Sequence, residues 1–494
     1  MTETASSPRL HVICAHEPDA DPRIGWTADT AAHNHFEVSV VGWIADRPAG
    51  EVRAASYLVK RLGQIDAAKP ATWLAIQMLS RLNPILLPLA VLAAVVMAPL
   101  WLVITLLLLP WRMLDYVAER LGQHERTTRR IERLVLSVRA WFFWRVDDLA
   151  DGGLVRLING LNAYRWYFFT HAGAFARRYI QWLENHPESR PDVIHANDPD
   201  ALLAAVLAKS AFGCRVIYDA HEYGPDAYIL HTRPRALFFA YERLLMRHVD
   251  GAVTVSPPIA EKFNKTYNGK PHFVVVPNAS PLADGLKPDP QFSLDELAHG
   301  RIRVLYQGGF AAGRGLEQVI DGWAKVDDTK AALFLRGPNN AHRDALIRVA
   351  ARTGRLDQSI YFLPSVSEDK LTIAAMDADI GLVPYLSHIE NHQGACPNKV
   401  GQYMQAGIAI VSANLPYVAA LLSAGECGEI YDDLDENALH ESLMKLIQQP
   451  DILMRMGQNG RAFARKHYNF ESYFPILASL YRGSETGIQN SPNV

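Results

Sequence analysis

Pro397-Asn398-Lys399-Val400-Gly401-Gln402-Tyr403-Met404-Gln405-Ala406-Gly407, running into the apolar Ile408-Ala409-Ile410-Val411, is the stretch that decides the fold class of this chain. A loop closing on Pro-Asn, a short helix, a glycine stop and an apolar strand make a helix-to-strand unit. The free N–H groups of such a helix's first turn point at a ligand, and their partial positive charge suits a diphosphate. The same pattern also serves as plain scaffold in any α/β domain, so the neighbouring segments have to decide.

Outward from it, apolar strand patterns alternate with helical ones. In the second half they fall at Arg301 to Gly309, Ala331 to Gly337, Ile360 to Leu363, Ile380 to Pro384 and Ile408 to Ser412. In the first half they fall at Leu10 to Ala15, Phe36 to Gly42, Pro191 to Ala196, Cys214 to Tyr218, Gly251 to Val255 and Phe273 to Asn278. Strands alternating with helices imply parallel, doubly wound sheets. The α/β reading is therefore of two Rossmann-like domains facing a cleft, over residues 1–282 and 298–468, joined by a Pro/Asp/Gly-rich loop. Residues 469–484 read as a helix that packs back across the first half, and 485–494 as a disordered tail.

The 494 residues exceed one core, which agrees with two domains. A net charge of −3 gives no reason to expect nucleic acid as a partner. Four cysteines, Cys14, Cys214, Cys396 and Cys427, are too widely spaced for a zinc site or a disulfide framework and suit a reducing compartment. The first residues lack the basic and apolar regions of a secretory signal.

Residues from about 50 to 185 interrupt the first half as an insert. Within it, Leu82 to Trp111 carries 30 residues without a charge, flanked by Arg81 and Arg112. A run beyond about 18 apolar residues is a membrane candidate. Two crossings need roughly 40 residues, so a re-entrant hairpin turning near Pro99 fits better, although flanking residues leave two tilted spans open. The aromatic clusters Trp141 to Trp144 and Tyr164 to Phe169, interleaved with arginines, suit an interface or equally a buried hairpin. The expectation is a chain held at the cytoplasmic face of the inner or plasma membrane.

The order of several short motifs resembles the family-four retaining glycosyltransferases of the glycosyltransferase B fold, over all of the chain but the insert. These are Asp21-Pro22-Arg23-Ile24, Val193 to Asp198, Tyr218-Asp219-Ala220-His221-Glu222, Val276-Pro277-Asn278, Gly308-Gly309 with Arg314-Gly315-Leu316, and Pro397-Asn398-Lys399. The resemblance implies that His221 contacts the donor sugar near the reacting centre. It also implies that Arg314 and Lys399 neutralise a nucleotide diphosphate cradled by Gly308, Gly309, Pro397 and Asn398. Gln402 stands where the family holds the ribose with a glutamate, and Gly394 where it holds the sugar with another, so both carboxylates are missing. Asp21, Arg23, His195, Asn197 and Asp198 fall on the acceptor side. No cofactor or metal is implied.

The resulting expectation is a membrane-associated retaining transferase that moves a sugar from a nucleotide-diphosphate sugar to a lipid-linked or glycolipid acceptor, in cell-surface polysaccharide or glycolipid synthesis. The rivals are an inactive membrane scaffold of the same fold, motivated by Gly394 and Gln402, and a nucleotide-sugar epimerase, against which the missing carboxylates speak. Donor identity and oligomeric state are left open.

Overall fold

Unbroken apolar runs make the central strands. In β1 (Arg9–Ile13) Leu10, Val12 and Ile13 are all fully buried, so both faces of the strand are covered, as a parallel sheet under helices requires. The computed structural model describes residues 7–43, 50–54, 56–63, 171–224 and 232–484. The N-terminal sheet adds β2 (Glu37–Trp43), β3 (Gly50–Arg53), β4 (Leu58–Leu62), β5 (Val193–Asn197), β6 (Arg215–Ala220), β7 (Gly251–Thr254) and β8 (Phe273–Val275), in the order β3-β4-β2-β1-β5-β6-β7-β8. Every pairing is parallel except β3 with β4.

The second sheet comprises β9 (Ile302–Gln307), β10 (Ala331–Arg336), β11 (Ile360–Leu363), β12 (Ile380–Val383), β13 (Ala409–Ala413) and β14 (Gly428–Tyr431), in the order β11-β10-β9-β12-β13-β14. All its pairings are parallel. In each sheet the strand order reverses beside the first strand, β1 or β9, and ligands of open α/β sheets bind outside the carboxyl ends at such a point. Those two ends share one cleft.

The helix Phe470–Arg482 belongs to the C-terminal part of the sequence but packs on the N-terminal sheet. Asn469 caps it, its side-chain oxygen accepting from the Ser472 N–H at 2.9 Å. Phe474 and Tyr481 meet the edge of Phe36, and the Leu480 carbonyl accepts from Arg215 Nε at 2.7 Å.

Three features depart from the sequence reading. Residues 50–53 and 58–62, read as part of the insert, form β3 and β4; the pattern Leu58-Val59-Lys60-Arg61-Leu62 hid a strand because near the sheet's edge charges are tolerated. The helix Gly173–Asn185, also read as insert, covers the sheet, with Phe175 and Tyr179 fully buried and the Tyr179 hydroxyl 2.7 Å from His11 Nδ1. The expected placement on a membrane is overturned: among the described residues no helix is long and apolar enough to cross one. The longest helix given, Pro450–His467, has 18 residues but carries Asp451, Arg455, Arg461, Arg465 and Lys466. The 82–111 run, both aromatic clusters and the 485–494 tail lie outside the described residues.

Phe474 is 2% exposed. Phe474→Ala should therefore cost roughly 3 kcal/mol in urea unfolding and loosen the N-terminal domain rather than the C-terminal one, as hydrogen exchange on β1 and β5 would report.

Candidate functional site

β6 ends in Tyr218-Asp219-Ala220 and delivers His221 to the sheet's carboxyl edge. Three carboxylates surround its ring. Asp21 Oδ2 lies 3.1 Å and Asp198 Oδ2 3.4 Å from Nδ1, and Asp219 Oδ2 lies 3.7 Å from Nε2. Asp21 is also the N-cap of the helix Pro22–His33, accepting from the Arg23 N–H at 2.9 Å. Desolvation works against a charged His221, yet Asp198, Asp21 and Asp219 outweigh it and raise its pKa well above the usual value. Asp198 is pushed up to about 6, chiefly by burial. The buried Nε2 of His221 makes no hydrogen bond.

Behind this cluster the acceptor-side expectation fails for three residues. Arg23 is 1% exposed and forks onto Asp219, Nε to Oδ2 at 2.8 Å and Nη2 to Oδ1 at 3.1 Å, with Nη1 donating to the Pro277 carbonyl. His195 is fully buried between Asp219 Oδ2 at 3.0 Å and the Tyr481 hydroxyl at 2.8 Å. Asn197 is fully buried and donates to the Ile13 carbonyl at 3.1 Å. They do not line the cavity: the loop after β8 engages Arg23, the returning C-terminal helix engages His195, and Asn197 turns back onto β1. Asp198 holds the His221 backbone N–H at 3.3 Å and is not among the cavity's lining residues. Asp21 does line the cleft.

The opposite wall is cationic. Gly308 follows β9 with φ of 135°, a conformation L side chains rarely adopt, and a Cβ there would sit 3.5 Å from Lys399 Nζ. Lys399, in the first turn of the helix Asn398–Ala406, is 6% exposed and donates to the Tyr385 hydroxyl at 2.9 Å. Arg314 lies 4.1 Å and Lys399 Nζ 4.5 Å from the Tyr385 ring centre, so one aromatic ring gathers both cations. Burial, then Arg314, lowers the Lys399 pKa, and Tyr385 is lowered against its own burial by the same two cations.

Gln402 points inward from the same helix, its Oε1 accepting from Gln307 Nε2 at 3.2 Å, while Gln307 Oε1 is buried without a partner. These groups and Gly309, Pro397 and Asn398 line a cavity of about 510 Å³ together with Asp21, His221 and Asn278 of the N-terminal wall. The donor-side residues anticipated from sequence thus converge on one space. Tyr385, Gln307 and Glu222 line it too and were not anticipated; Tyr385 had a signal, since it comes two residues after a buried strand at the ligand-bearing end.

Two outcomes follow. Arg23→Met strands the buried Asp219 charge and should cost about 3–5 kcal/mol in urea unfolding. For His221 the folded pKa lies above the unfolded value of about 6.5. Its stabilisation is therefore complete below that pH and is lost as pH climbs through the folded value. The stability gap between the native chain and His221→Gln should shrink as pH rises above neutrality, as urea midpoints across a pH series would reveal.

Comparison with known proteins agrees with this geometry. The glycosyl transferase 4-like domain family matches residues 129–279, and the glycosyl transferases group 1 family residues 301–449. No curated protein matches the chain significantly. Among solved structures, sucrose-phosphate synthase from Thermosynechococcus elongatus shares 12% identity over 96% of this chain and 98% of its own, at a TM-score of 0.64. Anabaena Alr3699/HepE in complex with UDP and glucose shares 11% identity over 96% and 100%, at 0.61. WaaG, a glycosyltransferase involved in lipopolysaccharide biosynthesis, shares 13% over 96% and 100%, at 0.56. At such identities the likeness speaks for the fold, while the two family matches, which together span more than half of the residues, speak for the activity. The chain belongs to the glycosyltransferases of the two-Rossmann B fold, with a glycosyl transferase 4-like N-terminal domain and a group 1 C-terminal domain.

Proposed function

We propose that this glycosyltransferase is a retaining enzyme whose donor is a nucleotide-diphosphate sugar bound between Gly308, Arg314 and the N-terminus of the helix Asn398–Ala406. The observation that carries the reading is the pair of cations stacked on Tyr385 at the mouth of a helix dipole, facing His221 across the cavity. A leaving diphosphate needs such fixed positive charge where it develops. Free backbone N–H groups at that helix end add to it.

In this reading the acceptor hydroxyl forms its bond to the anomeric carbon on the face from which the diphosphate departs. As the carbon–oxygen bond to the diphosphate breaks, the electron pair stays on the leaving phosphate oxygen, which takes the acceptor's proton. The protein contributes position and charge. His221, held by three carboxylates with Nε2 unpartnered, is suited to donate to a sugar hydroxyl. Gln307 and Gln402 present two amides, with one free oxygen, to the ribose.

For the acceptor we favour a lipid-linked or glycolipid hydroxyl, in cell-surface polysaccharide or glycolipid synthesis. Support comes from WaaG, a neighbour in fold whose own role is in lipopolysaccharide biosynthesis.

The test is nucleoside diphosphate release from a panel of UDP-, GDP- and ADP-sugars, with and without extracted lipids. Lys399→Ala and Arg314→Ala should each lower kcat by about 10²–10³ while the fold survives. His221→Ala should abolish transfer and leave binding of the free nucleoside diphosphate in place. A panel with neither release nor nucleotide binding would return the inactive scaffold as the better account.

A further inference from the structure

Position 394 is where the resemblance places a sugar-binding glutamate, and here it is sealed as well as bare. A Cβ on Gly394 would lie 2.7 Å from Ile259 Cγ1, and the Gly394 carbonyl already accepts from Ser256 Oγ at 2.6 Å. Both partners belong to the N-terminal domain, which therefore occupies the space a side chain would enter. A donor sugar still presents several hydroxyls, and burying them without acceptors is costly.

Three acids line the cavity: Asp21, Glu222 and Glu368. Asp21 is engaged by His221 Nδ1 and by the Arg23 N–H. Glu368, in the turn Glu368–Lys370, is pushed up to about 7 by burial and then by Asp21 and Asp369. Glu222 follows His221 directly and lines the cavity together with Asn391 and Arg314; burial, then Asp198, raises its pKa, and Arg314 and His221 work against that rise. Asn391 lies on the helix Glu390–Gln393, which leads directly into Gly394. The acid and Asn391 therefore line one cavity, Glu222 from the N-terminal wall and Asn391 from the segment that lacks an acid.

Resting on the donor site described above, we propose that Glu222, which lines the cavity with Asn391, recognises the hydroxyls of the donor sugar, supplying from the N-terminal domain the carboxylate that position 394 lacks. A carboxylate accepts from two adjacent hydroxyls in charge-assisted bonds, which favours a hexose with an intact vicinal diol over a deoxy sugar. Because His221 and Glu222 are consecutive, one turn at the end of β6 presents both the sugar's donor and its acceptor.

Calorimetry with UDP-glucose, GDP-mannose and ADP-glucose, each beside its free nucleoside diphosphate, separates the sugar from the nucleotide. Glu222→Gln should weaken the bound nucleotide sugar about tenfold and change the matching free diphosphate less than about twofold. Asn391→Ala should act in the same direction and more weakly. Unchanged nucleotide-sugar affinity in Glu222→Gln, or equal weakening of sugar and free diphosphate in both variants, overturns this role and leaves the donor site standing. Absence of binding by the native chain to all six probes overturns the donor site and this inference with it.

Discussion

The buried ion pair of Arg23 with Asp219 is the constraint on which the N-terminal wall of the cleft depends. Asp219 closes β6 without exposure to water, and a carboxylate there is tolerable only because it is fully surrounded. Arg23 forks onto both of its oxygens, and His195 bonds one of them. Burial alone would raise the Asp219 pKa, but Arg23, then His221, hold it well below the usual carboxylate range. Two elements distant in sequence, the helix starting at Pro22 and the C-terminal helix bearing Tyr481, are thereby pinned to one strand end. His221 inherits its position from that network.

The C-terminal wall works by the opposite balance. Lys399 is buried without a carboxylate partner, a costly state that the Tyr385 hydroxyl and two aromatic faces only partly relieve. With Arg314 beside it, this wall holds positive charge in excess and facing the cavity. Together the walls make an asymmetric cleft, with acids organised around a charged histidine on one side and unpaired cations at a helix N-terminus on the other. A substrate with an anionic diphosphate at one end and neutral hydroxyls at the other matches that asymmetry.

Much of this was legible before any coordinates. Uninterrupted apolar runs such as Val12-Ile13 and Ile410-Val411 have one stable use, a doubly covered parallel strand, so most of the strands and both sheets could be read directly. The residues of the C-terminal wall could be read as well, because Gly308 and the Pro397-Asn398-Lys399 turn line the cavity through backbone conformation and a helix end, which are local in sequence. Charged strands were harder. β4 carries Lys60 and Arg61, and only its place between β3 and β2 shows how they are accepted, Lys60 pairing with Glu51 of β3 and Arg61 with Glu17 and Asp19.

The sequence by itself determined the alternation of elements, the two-domain plan and the helix N-terminus that faces a ligand, since each follows from spacing and from residues a few positions apart. Tertiary structure alone decided which polar strand ends reach the cleft. Arg23, His195 and Asn197 carry the same apparent promise as Asp21 and His221, yet the loop after β8, the returning helix and β1 engage them in turn, and those contacts join residues more than a hundred positions apart. Burial is a property of what the rest of the chain places on top, and no local pattern encodes it.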